Sequence, residues 1–500
     1  MTSSGRVDLV IHGHFYQPPR EDPWTGEVPE QPGAAPFHDW NERITAECYA
    51  PMTAVPVTGP DGAARTVNAF EHLSFNVGPT LMSWLGTHHP EVYGRILDAD
   101  RRSGRAIAQA YGHAILPLCN EHDLRTHIRW GIADFEHRFG RRPEGMWLPE
   151  TAVSDAVLEA LAEEGIRFTI LAPGQIGATR PLAEPDAAWT THWQGPHEGL
   201  GPIRLAPTEP VPLDTRSPLR WEHPSQAGLS VELVVYDGSL AHSLAFHRPT
   251  SQDILDAARR IGGERGGLVA AATDGETFGH HHPGAERDIA QAVTVGAEAA
   301  GMSVPRVMDL LVLDPPTRAA NVLVSAWSCA HGVGRWMADC GCHTGGPEGW
   351  NQAWRGPLRH ALDVFRDWGV EVMERRGRDL MKDPWAARDA YLDVLLGAQG
   401  WDDFVDGHVI GDPHEAGVLL DAQRNALLMY TSCGWFFNDL GGIETIQVLR
   451  YAARAMDLYR QIGEHPPEEA VLDILGHAHS NDPSMGDGRR IWHERVLPRG

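Results

Sequence analysis

Apolar residues fall into two rhythms along this chain, and the rhythm changes once. Over the first 310 residues, short near-continuous apolar runs alternate with amphipathic stretches. VDLVIHGH (7–14), VELVVYDG (231–238) and LVAAATDG (268–275) are apolar until they break into a polar cluster. Strands buried on both faces of a parallel sheet read this way. Between them lie helices. In EHDLRTHIRWGIADFEHRFG, residues Leu124, Ile128, Ile132, Phe135 and Phe139 share one helical face, and Gly140 followed by Pro143 ends it. Further on, Ser154 caps a helix with Asp155 in its first turn. Val157, Leu158, Leu161 and Ala162 form its apolar stripe, Gly165 stops it, and IRFTILAP returns as a strand. That is a complete βαβ unit.

Residues 173–230 are rich in Pro and Gly and poorly periodic, which predicts long loops with at most short strands. From about residue 315 the β signal almost vanishes. LRHALDVFRDWGVEVMERR, WAARDAYLDVLLG, AGVLLDAQRNALLMYTSC and IETIQVLRYAARAMDLYRQIG are all helical. The expected architecture is a barrel-like α/β domain over residues 1–310, followed by an α-helical domain over 311–500 that packs on it.

The strand ends carry the chemistry. Loops at the C-terminal ends of parallel strands form the working face of α/β barrels. Glu150 in MWLPETAVSD, Asp274 in AATDGETFGHHH, His12 and His14 in VIHGHFYQPPR, and Asp237 in VYDGSL all stand at such ends. His113 in AQAYGHAILPL follows another short apolar run. Two carboxylates on one rim suit glycoside hydrolysis, one attacking the anomeric carbon and one protonating the leaving oxygen. Helix capping or pairing with Arg is the structural alternative for each acid. Tryptophan is abundant, 17 residues against 9 tyrosines, and indoles stack on sugar faces as readily as they fill cores. The formal net charge of −25 argues against nucleic acid or an anionic membrane as the main partner and suits a neutral substrate. No apolar run is long enough for a transmembrane helix, and the N-terminal stretch has no signal-peptide core. With six sparse cysteines, a reducing cytoplasm is the expected compartment.

In their order, these motifs resemble glycoside hydrolase family 57, the retaining α-glucan-active enzymes. Five short regions define the family. HGHFYQPP resembles the first, with two residues inserted between His14 and the Gln17-Pro18 pair, and GHAILPL the second, with Ala114 in place of a Pro. MWLPE matches the third and, by resemblance, makes Glu150 the nucleophile. DGETFGHH matches the fourth and makes Asp274 the general acid/base. HGVGRW (331–336) or GWNQAW (349–354) fills the fifth. The implied fold is a (β/α)7 barrel with a C-terminal helical domain. The implied activity is hydrolysis or transfer on oligo- or polysaccharides, without cofactor or metal. Substrate contacts are then expected from His12, His14, Gln17, His113, Trp147, Asp237, Glu276 and His280, and from Trp336, Trp350 or Trp354 on the acceptor side. Asp274 needs a raised pKa, from burial and from the charge of Glu150.

Other groups offer rival chemistry. His280, His281 and His282, with Asp274, His12 and His14, make a metal-hydrolase inventory, as in a deacetylase or an α-mannosidase-like enzyme. A non-catalytic glucan-binding protein is a third reading. Cys329, Cys340, Cys342 and His343 have the ligand types for zinc, though their C-x-C spacing is unusual, and buried thiols beside a glycine-rich loop are the alternative. The TGGPEG run (344–349) precedes no P-loop helix and reads as a turn. Trp435, Phe436 and Phe437 read as helix-packing residues.

Overall fold

The chain's fold is that of a computed structural model, described over residues 5–192 and 210–497. Seven strands build a parallel barrel: β1 (Val7–Phe15), β2 (Ser74–Val77), β3 (Ala108–Gln109), β4 (Met146–Trp147), β5 (Phe168–Leu171), β6 (Ser230–Val235) and β7 (Gly267–Asp274). β1 lies between β7 and β2, and β6 beside β5. Single bridges carry the barrel through its shortest strands, Phe75 to Ala106 and Gly145 to Phe168, with β3 and β4 paired at Ala108 and Met146. The Asp237 amide closes the ring by donating to the Ala270 carbonyl at 2.8 Å. Apolar runs on β1 and β7 are buried almost throughout, as strands inside an α/β barrel must be.

The expected βαβ unit is present. Helix Asp155–Glu163 begins where the Ser154 hydroxyl accepts from the Val157 amide at 3.3 Å, and it leads into β5. Within the loop-rich stretch 173–230, three strands form: Ile176–Pro181, Thr190–Thr191 and Leu219–Glu222. They extend the β5–β6 edge into a six-stranded sheet, completed by Arg318–Val322. Residues 193–209 of that stretch lie outside the described part. Arg318–Val322 corrects the expectation that strands end before 315. Its apolar residues Ala319, Ala320 and Val322 are interrupted by the half-buried polar Arg318 and Asn321, so neither a continuous nor an alternating apolar run marked it.

The chain divides into two compact units, and their limits differ from a single break at 310. One comprises residues 1–17, 30–109 and 138–327; the other comprises 18–29, 110–137 and 328–500. The strand at 318–322 carries the first unit past residue 310. In the second, helices Arg355–Leu380, Pro384–Leu395, Pro413–Leu428 and Ile443–Gln461 appear as expected. Residues 110–137 join them through a buried ion pair. Arg388 lies at 2.8 Å from Asp123, and the same guanidinium donates to Gln423 and Thr126. No local sequence rule announces a pairing across so many residues.

Because that pair is buried, removing one partner strands the other. Arg388→Ala should cost about 3–5 kcal/mol and lower the unfolding temperature, whereas a double replacement of Arg388 and Asp123 by apolar residues should cost less. Calorimetry on both variants checks this; equal losses would contradict it.

Candidate active site

At the end of β4, the chain turns sharply. Pro149 starts a short turn, and Glu150 (φ 56°) and Thr151 (φ 50°) both adopt left-handed backbone. Such a conformation costs a non-glycine residue about 1–3 kcal/mol and persists only where the surroundings impose it. Here they do. The Trp327 amide donates to the Glu150 carbonyl at 3.0 Å and to the Thr151 hydroxyl at 3.1 Å, and Gln175 Nε2 donates to the Thr151 carbonyl at 2.7 Å. The turn aims the side chain as well: Trp327 Nε1 donates to Glu150 Oε2 at 3.0 Å. Glu150 is buried, and Trp327 is half-buried.

Asp274 ends β7, with its backbone in register with His14 on β1. It keeps solvent-accessible surface while protein surrounds it, as a group lining a recess does. Its carboxyl is held well above the ordinary range, first by the desolvation of that setting, then by the charges of Glu276 and Glu150. Burial and the Glu150 charge were both expected; Glu276 was not, and it contributes ahead of Glu150. Glu276 Oε1 accepts from the Tyr16 amide at 3.0 Å and the Tyr49 hydroxyl at 2.5 Å. Burial pushes its pKa up to about 7, against the pull of those hydrogen bonds. Gly275 allows the two acids to bracket the turn, since a Cβ there would sit 2.3 Å from the Phe15 ring.

One of the two histidines of β1 does something other than expected. His12 is fully buried, with Nδ1 at 2.9 Å from the Ser74 hydroxyl and Nε2 at 3.0 Å from Asn76 Oδ1. Asn76 Nδ2 in turn faces His14 Nδ1 at 3.0 Å and Gln109 Oε1 at 2.8 Å. One donor direction that satisfies these contacts runs from Ser74 to His12, from His12 to Asn76, and from Asn76 to His14 and Gln109, while His14 Nδ1 also lies 3.3 Å from Asn76 Oδ1. Burial lowers both histidine pKa values to about 3, with His12 adding to the effect on His14. Trp147 stacks beneath them, 4.7 Å from His12 and 5.0 Å from His14 between ring centroids. His12 and Trp147 were expected to touch substrate. Both ring nitrogens of His12 are occupied and Trp147 has no exposed surface, so they brace the site instead.

The remaining candidates scatter. Asp237 caps helix Gly238–His247, accepting from the Ser239 and Leu240 amides, the alternative foreseen for a strand-end acid. Gln17 donates to the Tyr49 hydroxyl at 3.3 Å, behind Glu276. His280 pairs with Glu47 at 2.5 Å, and His282 meets the Ala245 carbonyl, so these histidines do not gather around one ion. His113 belongs to the helical unit's set of residues, where its Nδ1 lies 2.7 Å from the Ser432 hydroxyl. Trp336 and Trp354 are buried within that same unit, Trp336 donating to the Ser432 carbonyl, and only Trp350 of the three keeps exposed surface. Trp336 and Trp354 are therefore core residues rather than a stacking platform. Sequence reasoning passed over Trp327, Asn76, Tyr49 and Gln109. Asn76 and Gln109 stand at or near strand ends as plain polar residues, Tyr49 lies in the helical stretch Thr45–Tyr49, and SAW (325–327) follows a strand that the sequence did not reveal.

Comparison with known proteins decides the family. The sequence model described as Glycosyl hydrolase family 57 matches residues 37–293, more than half of the chain. The chain belongs to glycosyl hydrolase family 57. A second model, Domain of unknown function (DUF3536), matches residues 350–500. Alpha-amylase 1 of Dictyoglomus thermophilum is 27% identical over 92 residues, which is 18% of this chain and 13% of that enzyme. In fold, the chain is similar to an exo-type maltose-forming amylase from Pyrococcus sp. ST04, with a TM-score of 0.70, 13% identity, and coverage of 94% of this chain and 82% of that one. It is likewise similar to a family 57 branching enzyme from Pyrococcus horikoshii, with a TM-score of 0.59, 14% identity and 96% of each chain covered. This family 57 chain therefore has the (β/α)7 barrel with a C-terminal helical region that its sequence implied. Among the described residues, no helix is long and apolar enough to cross a membrane.

The buried histidines set a pH signature. His12 and His14 are neutral when folded, with pKa values of about 3 against 6.5 when exposed, so their contribution to stability is complete above pH 6.5 and is lost as pH falls toward 3. His12→Gln should therefore flatten the fall in unfolding temperature between pH 6.5 and 4 relative to wild type. An unchanged slope in thermal scans would contradict this.

Proposed function

We propose that this chain is a retaining glycosidase or transglycosylase of α-glucans, with Glu150 as nucleophile and Asp274 as general acid/base. The observation that carries the reading is that two carboxyls at the ends of β4 and β7 are held in opposite ways. An indole N–H at 3.0 Å favours the ionised form of Glu150, while Asp274 is kept protonated by its surroundings. Glu150 attacks the anomeric carbon as Asp274 passes its proton to the departing glycosidic oxygen, leaving a glycosyl ester on Glu150. Asp274, now a base, takes a proton from water or a sugar hydroxyl, whose oxygen attacks the anomeric carbon of the ester and frees the Glu150 carboxylate. Family membership supports the reading, as do its similarities to an amylase, a maltose-forming amylase and a branching enzyme.

His14, at the end of β1 in register with Asp274, is the β1 histidine read here as a sugar contact, and Trp327 and Tyr16 flank it at ring-centroid distances of 6.5 and 5.9 Å. The partner is an oligo- or polysaccharide. None of the six cysteines is paired in a disulfide, which supports a reducing cytoplasmic compartment.

Asp274→Ala should lose most turnover on a natural α-glucan yet release fluoride from a glycosyl fluoride in a rapid first turnover, since that leaving group needs no proton, before stalling at the ester. Pre-steady-state kinetics of the first turnover on both substrates provide the check. Equal losses would remove Asp274 from the acid's role.

A further inference from the structure

Three thiols and an imidazole meet in the helical unit, at a point the proposed chemistry does not use. Cys329 Sγ lies 4.0 Å from both Cys340 Sγ and Cys342 Sγ, and Cys342 Sγ lies 3.5 Å from His331 Nδ1. All four ligand atoms fall within 4.8 Å of one another. Around a tetrahedral ion with Zn–S bonds of about 2.3 Å, sulfur atoms stand about 3.8 Å apart, so the observed spacing needs only a small contraction. The sequence had suggested His343 as the fourth ligand. That side chain instead turns to the Gly345 carbonyl, and His331, two residues after Cys329, takes its place.

We propose that Cys329, His331, Cys340 and Cys342 form a structural zinc site. Zinc suits three thiolates and an imidazole in a tetrahedron, and four protein ligands leave no position open for a substrate. The backbone is shaped for it. Gly341, between two of the ligands, adopts φ 80°, which turns Cys340 and Cys342 to the same point. A Cβ on Gly334 would come within 3.1 Å of Cys340 Cβ. Backbone amides point at the sulfurs: Arg335 N lies 3.4 Å from Cys329 Sγ, the His331 amide also faces Cys329, and the Ala330 amide faces Cys342. Such amide donors commonly support metal-bound thiolates.

Charge gives a second, independent argument. Arg335 and Arg355 are both buried beside the cluster, and among the described residues neither pairs with a carboxylate. Arg355 donates only to carbonyls, those of Cys342, Phe436 and Phe437. Arg335 covers the Phe436 ring at 4.4 Å and leaves Nε and Nη1 without a partner. Buried guanidinium groups need a counter-charge. Three thiolates around one divalent zinc carry a net charge of −1, in the place where these arginines require it. The site also has a mechanical purpose. Between strand Arg318–Val322 and helix Arg355–Leu380, the only regular element is the turn Gly334–Trp336, and a metal would add a further tie to this long connection.

The test is elemental analysis of the full-length chain, grown in zinc-replete medium and freed of any affinity tag. We expect about one zinc per chain, retained in His343→Ala and lost in Cys329→Ser and Cys342→Ser. Should the serine variants fail to fold, titrating wild-type thiols with a mercurial should release the zinc in step with its three thiolate ligands, read by a metal-sensitive dye. Exchange of the zinc for cobalt should give the visible absorption of a tetrahedral, thiolate-bound Co(II). Protein that is zinc-free with its thiols reactive, iron in place of zinc, a disulfide among these cysteines, or full zinc content in both serine variants would each overturn the proposal. None of these readouts depends on glycosidase activity.

Discussion

Glu150 stands where its backbone would not go unaided. Left-handed φ at both Glu150 and Thr151 is imposed by Trp327, whose amide ties down the turn while its indole holds the carboxylate. Backbone and side chain are thus fixed by one residue. The proposed role of nucleophile asks for a carboxylate that is charged, aimed and unable to swing away, and that contact favours each of these. The stacked arrangement behind it depends on the same residue. Trp327 meets Trp147 edge-on at 5.2 Å, and Trp147 carries the rings of His12 and His14.

Neutral groups, rather than cations, dominate the interior of the site. The two histidines on β1 are too deeply buried to hold a proton, so they work as fixed dipoles in a relay running from Ser74 to Gln109. The charges of Glu276 and Glu150 both bear on Asp274. They add to desolvation in keeping the Asp274 proton in place. Glu276 therefore has a use apart from touching substrate. Tyr49, Gln17 and the Tyr16 amide fix it where its charge bears on Asp274.

What could be read from the sequence follows from how local each signal is. Buried strands such as β1 and β7 announce themselves by unbroken apolar runs, and the Ser154 cap by its place before a stripe, because each depends on neighbours in the chain. Strands β3 and β4 have two residues each and carry no periodicity, although the MWLPE motif marked the end of β4. Trp327 reaches Glu150 across 177 positions, and Arg388 reaches Asp123 across 265, distances that no pattern in a single sequence encodes. The cysteine cluster lay between these cases. Its sulfur ligands were visible in the sequence, while the choice of His331 over His343 depended on the turn at Gly332, with φ 70°.

The account stands on Glu150 forming a covalent bond to the sugar. The most direct measurement is mass spectrometry of peptides from the Asp274→Ala protein after brief exposure to a glycosyl fluoride that forms the ester but lacks a base to hydrolyse it. A glycosyl increment on the peptide containing Glu150, absent in a Glu150→Gln companion, is the result the account predicts. The same increment on a peptide containing Glu276, or turnover of the fluoride by Glu150→Gln at the rate of its Glu150 counterpart, would contradict it.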